Sequence, residues 1–177
     1  SEVIPSQEDI NELAHGLELS GLPFFWVVRK KYGSVQLPDG FEERLKGRGV
    51  VWTSWVPQLR ILSHESIGCF LTHCGWGSII EATRFEYVVV MFPYVSLNAR
   101  VFAEKKVGIE IPRNKQNGSF TKESVAKLLS LVMFDEEGLV YREKTKEMSF
   151  VFGDDILHNL YVEKFVEHLL KHTSVPT

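Results

Sequence analysis

The stretch Cys69-Phe-Leu-Thr-His-Cys-Gly-Trp-Gly-Ser-Ile-Ile-Glu81 constrains the fold of this chain more than any other. Ile67 to Thr72 is an apolar run of strand length, and Ile79, Ile80, Ala82 and Phe85 recur directly after it at helical spacing. Between them, His73 to Gly77 breaks both patterns. Glycines at 75 and 77 permit positive φ and let a ligand approach the main chain. The helix, expected from Ser78, would present unpaired N–H groups and the positive end of its dipole. Two readings follow. In one, Ser78-x-x-Glu81 is a capping box that starts a helix and does nothing more. In the other the break holds a phosphate, to which His73 at the carboxyl end of the strand donates a charge-assisted hydrogen bond. Taken alone, a histidine in this place is more often a structural polar residue than a ligand contact.

The same alternation runs along the chain. Ser6 caps a helix through about Leu19 with Ile10, Leu13, Ala14 and Leu17 on one face, and Gly21 ends it. Strands are expected at Leu22 to Val28, Gly49 to Thr53, Ile67 to Thr72, Tyr87 to Phe92 and Gly108 to Ile111. Short helices fit Phe41 to Leu45, Pro57 to Leu62 and Leu97 to Lys105. Trp26 and Trp52 read as core residues. Strand, helix, strand in repetition argues for an α/β fold with a parallel, doubly wound sheet. The tail changes character: Thr121 caps a helix with Phe120 and Val125 as its staple, and patterns from Gly138 to Phe152 and Asp155 to His172 add helices that pack the end of the domain.

Composition narrows the function classes. A chain of 177 residues with 44% hydrophobic and 24% charged content suits one soluble domain with its own core. A net charge of −3 leaves no basic footprint, so nucleic acid is not an expected partner. The Arg29-Lys30-Lys31 and Lys105-Lys106 clusters read as solvated faces. Cys69 and Cys74 form no C-x-x-C motif and have no second pair to complete a zinc site, so no metal is expected and both thiols should be reduced. Without an apolar run long enough to span a bilayer, or a basic-then-apolar leader, a cytoplasmic protein without a membrane partner is expected. No G-x-G-x-x-G follows a strand, which disfavours a dinucleotide oxidoreductase.

Trp55-Val-Pro-Gln58, His64, Gly68, Cys69 to Trp76, Ser78, Glu81 and Phe92-Pro93 fall in the order and spacing of the signature box of plant UDP-dependent glycosyltransferases, which this segment resembles. Gly16 to Ser20, Phe25-Trp26 ahead of Arg29, Leu37 to Arg44 and Gly47-Arg-Gly49 resemble the same family, so the likeness runs from Ser1 to at least Arg113. Asn98-Ala-Arg100 and Val107 to Arg113 most resemble its branch-forming group, which adds a sugar to an existing glycoside. The resemblance implies a Rossmann-like, C-terminal half of a GT-B fold with a helical C-terminal tail. Residues 1–177 would form a single UDP-sugar-donor-binding domain that lacks its first strand and the N-terminal acceptor domain, because Ser1 falls at the turn after that strand.

Site roles are likewise what the resemblance implies. Trp55 would stack on uracil, Val56 would offer main-chain hydrogen bonds, and Gln58 would contact the nucleoside. Glu81 would take the ribose hydroxyls. His73, Ser78 and the Gly77 N–H would hold the diphosphate, Ser1 would add a contact, and Trp76 would line the sugar pocket. The UDP-sugar is a co-substrate and no cofactor is implied. The partners are that donor, a small-molecule acceptor and the N-terminal acceptor domain. Sugar would pass, with inversion, to a plant small molecule such as a flavonoid or terpenoid glycoside. No catalytic residue is assigned, because the general base, a histidine assisted by an aspartate, belongs to the absent domain. The alternative is a non-catalytic UDP-binding remnant.

Three departures from the family pattern matter. Glycine stands at 77 where asparagine is usual, Glu86-Tyr-Val88 replaces a Gly-x-Pro turn, and Tyr94-Val-Ser-Leu97 runs into Asn98 without the acidic residue and glutamine that grip the sugar. Hydrogen bonds to charged groups contribute roughly 1.5–3 kcal/mol each, so losing that pair would lower sugar binding or turnover by about tenfold to more than a hundredfold.

Overall fold

Ser6 and Gly21 bracket the first helix with two different pieces of backbone chemistry. In the computed structural model, which describes residues 5–28, 36–92 and 96–172, α1 spans Gln7–Ser20. Ser6 Oγ accepts from the Asp9 N–H at 3.1 Å, and the Asp9 carboxylate accepts from the Ser6 N–H at 3.2 Å, satisfying donors that a helix start leaves orphaned. Gly21 closes the helix in the left-handed region, φ 71°. Ile10, Leu13, Ala14 and Leu17 are buried, as their spacing predicts.

The strands are β1 Phe24–Val27, β2 Gly49–Trp52, β3 Cys69–Thr72, β4 Val88–Met91 and β5 Gly108–Glu110. Every pairing among the described residues is parallel, which requires a crossover between partners. The crossovers carry α2 Phe41–Arg44, α4 Trp76–Arg84 and α5 Ser96–Glu104, and α3 Gln58–Leu62 lies on the connection from β2 to β3 of the other sheet. The tail is α6 Lys122–Met133, a 3₁₀ turn at Glu136–Gly138, α7 Leu139–Phe152 and α8 Asp155–His172. Thr121 Oγ1 accepts from the Ser124 N–H to start α6, while Phe120 and Val125 enter the same core cluster.

β4 explains the layering. All its residues are buried, and successive side chains leave on opposite faces. Val88 and Val90 join Leu13 and Leu17 of α1 and Val125, Leu129 and Val132 of α6, whereas Val89 and Met91 join Ile79 and Ala82 of α4 and Ala99 and Phe102 of α5. Each of these side chains larger than alanine stabilises the fold by about 1.5–3 kcal/mol on burial.

The α/β fold with parallel strands is as expected, but details of it depart from the sequence reading. The parallel sheet comes in two parts, β1 with β2 and β3-β4-β5, although Phe24 and Trp26 of β1 share a core with Cys69 and Leu71 of β3. Trp52, expected in the core, is 47% exposed, because it shares with Phe25 and Val50 a face of the β1–β2 pair that the described residues leave uncovered. α6 and α7 pack as expected, but no residue of α8 is buried.

The Glu86-Tyr87 turn shows how a Gly-x-Pro sequence is replaced. α4 ends in a Schellman motif, with the Tyr87 N–H bonded to Ala82 O and the Glu86 N–H to Thr83 O, and Glu86 takes the left-handed conformation at φ 66°. α5 ends in the same way, with Lys106 at φ 57°. A left-handed non-glycine residue is disfavoured by roughly 1–2 kcal/mol, so Glu86→Gly should raise stability by about 1 kcal/mol in urea denaturation. Gly16→Ala should act in the opposite sense. Its Cβ would lie 2.6 Å from Val125 Cβ and 3.1 Å from Lys122 O where α1 crosses α6. Overpacking there should lower the same denaturation free energy by about 1–3 kcal/mol.

Candidate functional site

At the carboxyl end of β3 the chain turns through His73 and Cys74 into α4. Thr72 and Cys74 are buried and His73 is half-buried. The left-handed φ falls on Cys74 at 67°, and neither Gly75 nor Gly77 adopts it. Gly75 is instead the N-cap, in extended backbone (φ −62°, ψ 131°) with no side-chain cap. α4 therefore begins at Trp76, two residues earlier than the expected Ser78, and the Ser78–Glu81 capping box does not form. Glycine is an acceptable N-cap, and Ser78 already sits inside the first turn. The first intrahelical bond runs from the Ile79 N–H to Gly75 O at 3.1 Å. Helix geometry leaves the N–H groups of Trp76, Gly77 and Ser78 ahead of that bond without intrahelical acceptors.

Ser78 and Glu81 lie on one face of α4, and both meet Gln58 at the start of α3. Gln58 Nε2 donates to Glu81 Oε2 at 2.7 Å and to Ser78 Oγ at 3.2 Å. That amide draws the Trp55-Val-Pro-Gln58 segment onto the start of α4. Trp55 is 79% exposed and Val56 half-buried. Trp76 is also exposed, its ring edge-on to Phe102 at 5.5 Å. His73 Nε2 lies 3.6 Å from the point where a Cβ on Gly75 would stand, which sets the imidazole beside the N-cap. Nothing lies within 4 Å of the corresponding point on Gly77, so the helix start is open on that side. Ser1 lies outside the described residues, as do Arg29 to Lys31, Pro93, Tyr94 and Val95.

The arrangement suits a particular chemistry. An uncapped helix start beside an imidazole accepts an anion, a carboxylate accepts hydroxyl donors, and a solvent-facing indole offers a flat apolar surface. His64 is engaged otherwise: its Nδ1 accepts from the Ser66 N–H and its carbonyl from Tyr87 Oη. Among the described residues no group of three or more His, Cys, Asp or Glu is placed to hold a metal ion, and no helix is long and apolar enough to cross a membrane. One polar residue at this turn has no role in the sequence reading. Asn98 of α5 donates from Nδ2 to the Cys74 carbonyl at 2.9 Å, a contact for which sequence spacing carries no signal.

Comparison with known proteins identifies the family and the fold. Residues 1–176 match the family model described as UDP-glucoronosyl and UDP-glucosyl transferase. The chain is 57% identical over 178 residues to UDP-glycosyltransferase 91A1 of Arabidopsis thaliana, covering 96% of this chain and 38% of that protein. It is 51% identical over 176 residues to the soyasaponin III rhamnosyltransferase of Glycine max, covering 97% of this chain and 37% of that one. Its fold superposes with a TM-score of 0.75 on Phytolacca americana UGT2 complexed with UDP-2fluoro-glucose and pterostilbene, at 38% identity over 84% of this chain and 34% of that structure. The chain thus spans little more than a third of the length of the relatives it matches.

Cys69 opens β3 and Cys74 lies in the turn that follows it, and neither thiol is activated as a nucleophile. Burial pushes Cys69 up to about 11, and burial together with the nearby Glu110 charge pushes Cys74 up to about 12, so both stay protonated near neutral pH. A disulfide reagent at a pH of about 8 should leave both unlabelled in the folded chain and label both after unfolding. The unfolded thiols ionise first, near 8.5, so stability should fall as pH rises beyond that value, as a pH series of denaturation midpoints would record.

Proposed function

Because the chain belongs to the UDP-glucoronosyl and UDP-glucosyl transferase family, we propose that it is the donor-binding part of a glycosyltransferase that takes its sugar from a UDP-sugar. The observation that carries this reading is the Gln58 bridge, which joins the segment bearing an exposed indole to the open start of α4. In this reading Trp55 stacks on uracil, Val56 bonds it through the main chain, and Gln58 orders Glu81 to receive the ribose hydroxyls. His73, Ser78 and the Gly77 N–H take the diphosphate, with Ser1 adding a contact. Trp76 lines the sugar pocket. As the glycosidic bond breaks, negative charge gathers on the departing diphosphate oxygen, where the helix start and His73 stabilise it. The acceptor hydroxyl is deprotonated by a base outside this chain, and the anomeric carbon inverts.

The acceptor half and one further strand belong, in this proposal, ahead of Ser1. The usual doubly wound order is 3-2-1-4-5-6. Removing strand 1 from that order leaves a pair and a triplet, the partition seen here as β2-β1 and β3-β4-β5. The relatives are long enough to hold both. The acceptor is a plant small molecule, in keeping with a relative named for soyasaponin III and a structural neighbour complexed with pterostilbene. The proposed setting is the cytoplasm. The shortened run through Tyr94-Val-Ser-Leu97 leaves the transferred sugar weakly held.

Calorimetric titration of the purified chain with UDP and UDP-glucose tests these assignments. UDP should bind, and Trp55→Ala should weaken it by about tenfold, since stacking a base on an aromatic ring is worth roughly 1–3 kcal/mol. Glucose should add little to the affinity. Absence of UDP binding would remove the donor-site assignment, and a large gain from glucose would remove the weak sugar grip. Sugar transfer by the chain alone to a flavonoid or terpenoid glycoside would overturn the placement of the base elsewhere.

A further inference from the structure

The turn that presents the helix start has an unfavourable conformation and accepts a hydrogen bond from a side chain of another element. Cys74 takes the left-handed φ of 67° that L-residues with side chains rarely adopt, and its own side chain is wholly buried with Ile79, Ala82, Ala99 and Phe102. Its carbonyl precedes the N-cap Gly75, so the orientation of that peptide sets where the first N–H groups of α4 point. Asn98 Nδ2, half-buried on α5, donates to this carbonyl at 2.9 Å. One turn further along α5, Phe102 meets the ring of Trp76, the first residue of α4. α5 therefore grips the start of α4 on both sides of its N-cap.

We propose that Asn98 is a positioning residue: its amide fixes the Cys74 peptide so that the first turn of α4 is preset for a diphosphate that Asn98 itself does not touch. The inference rests on the donor-site reading above. Removing the amide leaves a carbonyl at a buried turn without its donor and frees Cys74 to leave the left-handed region. An aspartate of the same shape would aim a carboxylate oxygen at the carbonyl oxygen, so the isosteric change should be no milder than truncation. A residue that merely filled space would tolerate it.

The test compares UDP with uridine in the unsubstituted chain, in Asn98→Ala and in Asn98→Asp. Uridine affinity should be unchanged in both variants, while the advantage of UDP over uridine should shrink by about tenfold, the loss expected when charged hydrogen bonds are misaimed. A ligand-free measurement stands beside it. Amide hydrogen exchange across His73 to Ser78 should quicken in Asn98→Ala, with α6 unchanged. An unaltered UDP-to-uridine ratio, or equal loss of both ligands, or exchange that quickens equally in α6, would overturn the proposal. Failure of the unsubstituted chain to bind UDP would strike the donor-site reading instead, whereas normal UDP binding with insensitive Asn98 variants would strike this inference alone.

Discussion

The hydrogen-bonded bridge from Gln58 to Ser78 and Glu81 is the contact on which the candidate site depends. The segments it joins belong to different connections between strands, and neither is a site alone. The Trp55 segment is an exposed stretch entering a short helix, and the start of α4 is a row of main-chain donors without intrahelical acceptors. An amide is suited to the task because one nitrogen carries two donors, here shared between a hydroxyl and a carboxylate. The bond to the carboxylate is the stronger, being charge-assisted. A glutamate at 58 would repel Glu81, and a shorter side chain would have less reach from α3.

That bridge holds its place because the sheet beneath it is packed from both faces. β4 sends Val88 and Val90 towards α1 and α6 and Val89 and Met91 towards α4 and α5. The α4 start is thereby tied to the most deeply buried strand through Ile79 and Ala82. Rigidity of this origin matters for anion binding, since donors already aimed need no reorganisation when charge arrives. The left-handed residues at Cys74, Glu86 and Lys106 lie in the turns at the ends of α4 and α5. Local conformational preference yields there to the need to return the chain to a neighbouring parallel strand.

Much of this was legible from residue pattern. α1 was readable from end to end because Ser6, Gly21 and the apolar stripe agree with one another. β4 was readable as an unbroken apolar run, the mark of a strand buried on both faces. The start of α4 was misread because Ser78-x-x-Glu81 matches a capping box, whereas Gly75, with no side chain to announce it, is the true cap. Trp52 was misread because its apolar character says nothing about whether another layer covers that face of β2. Of the site, Trp55, Gln58, Ser78 and Glu81 were nameable, but the meeting of the last three through one amide was not, since a contact across 20 or more residues has no local signal. The same is true of Asn98, whose partner is a carbonyl that every residue possesses.

The uncovered final helix has its own consequence. Ile156, Tyr161, Val162, Phe165 and Leu170 stand 84%, 61%, 60%, 61% and 71% exposed along α8. Apolar surface of that extent is adhesive in water, and the described carboxylates and lysines of α8 interrupt it without screening it. The last helix is therefore the expected point of self-association when this chain is concentrated on its own.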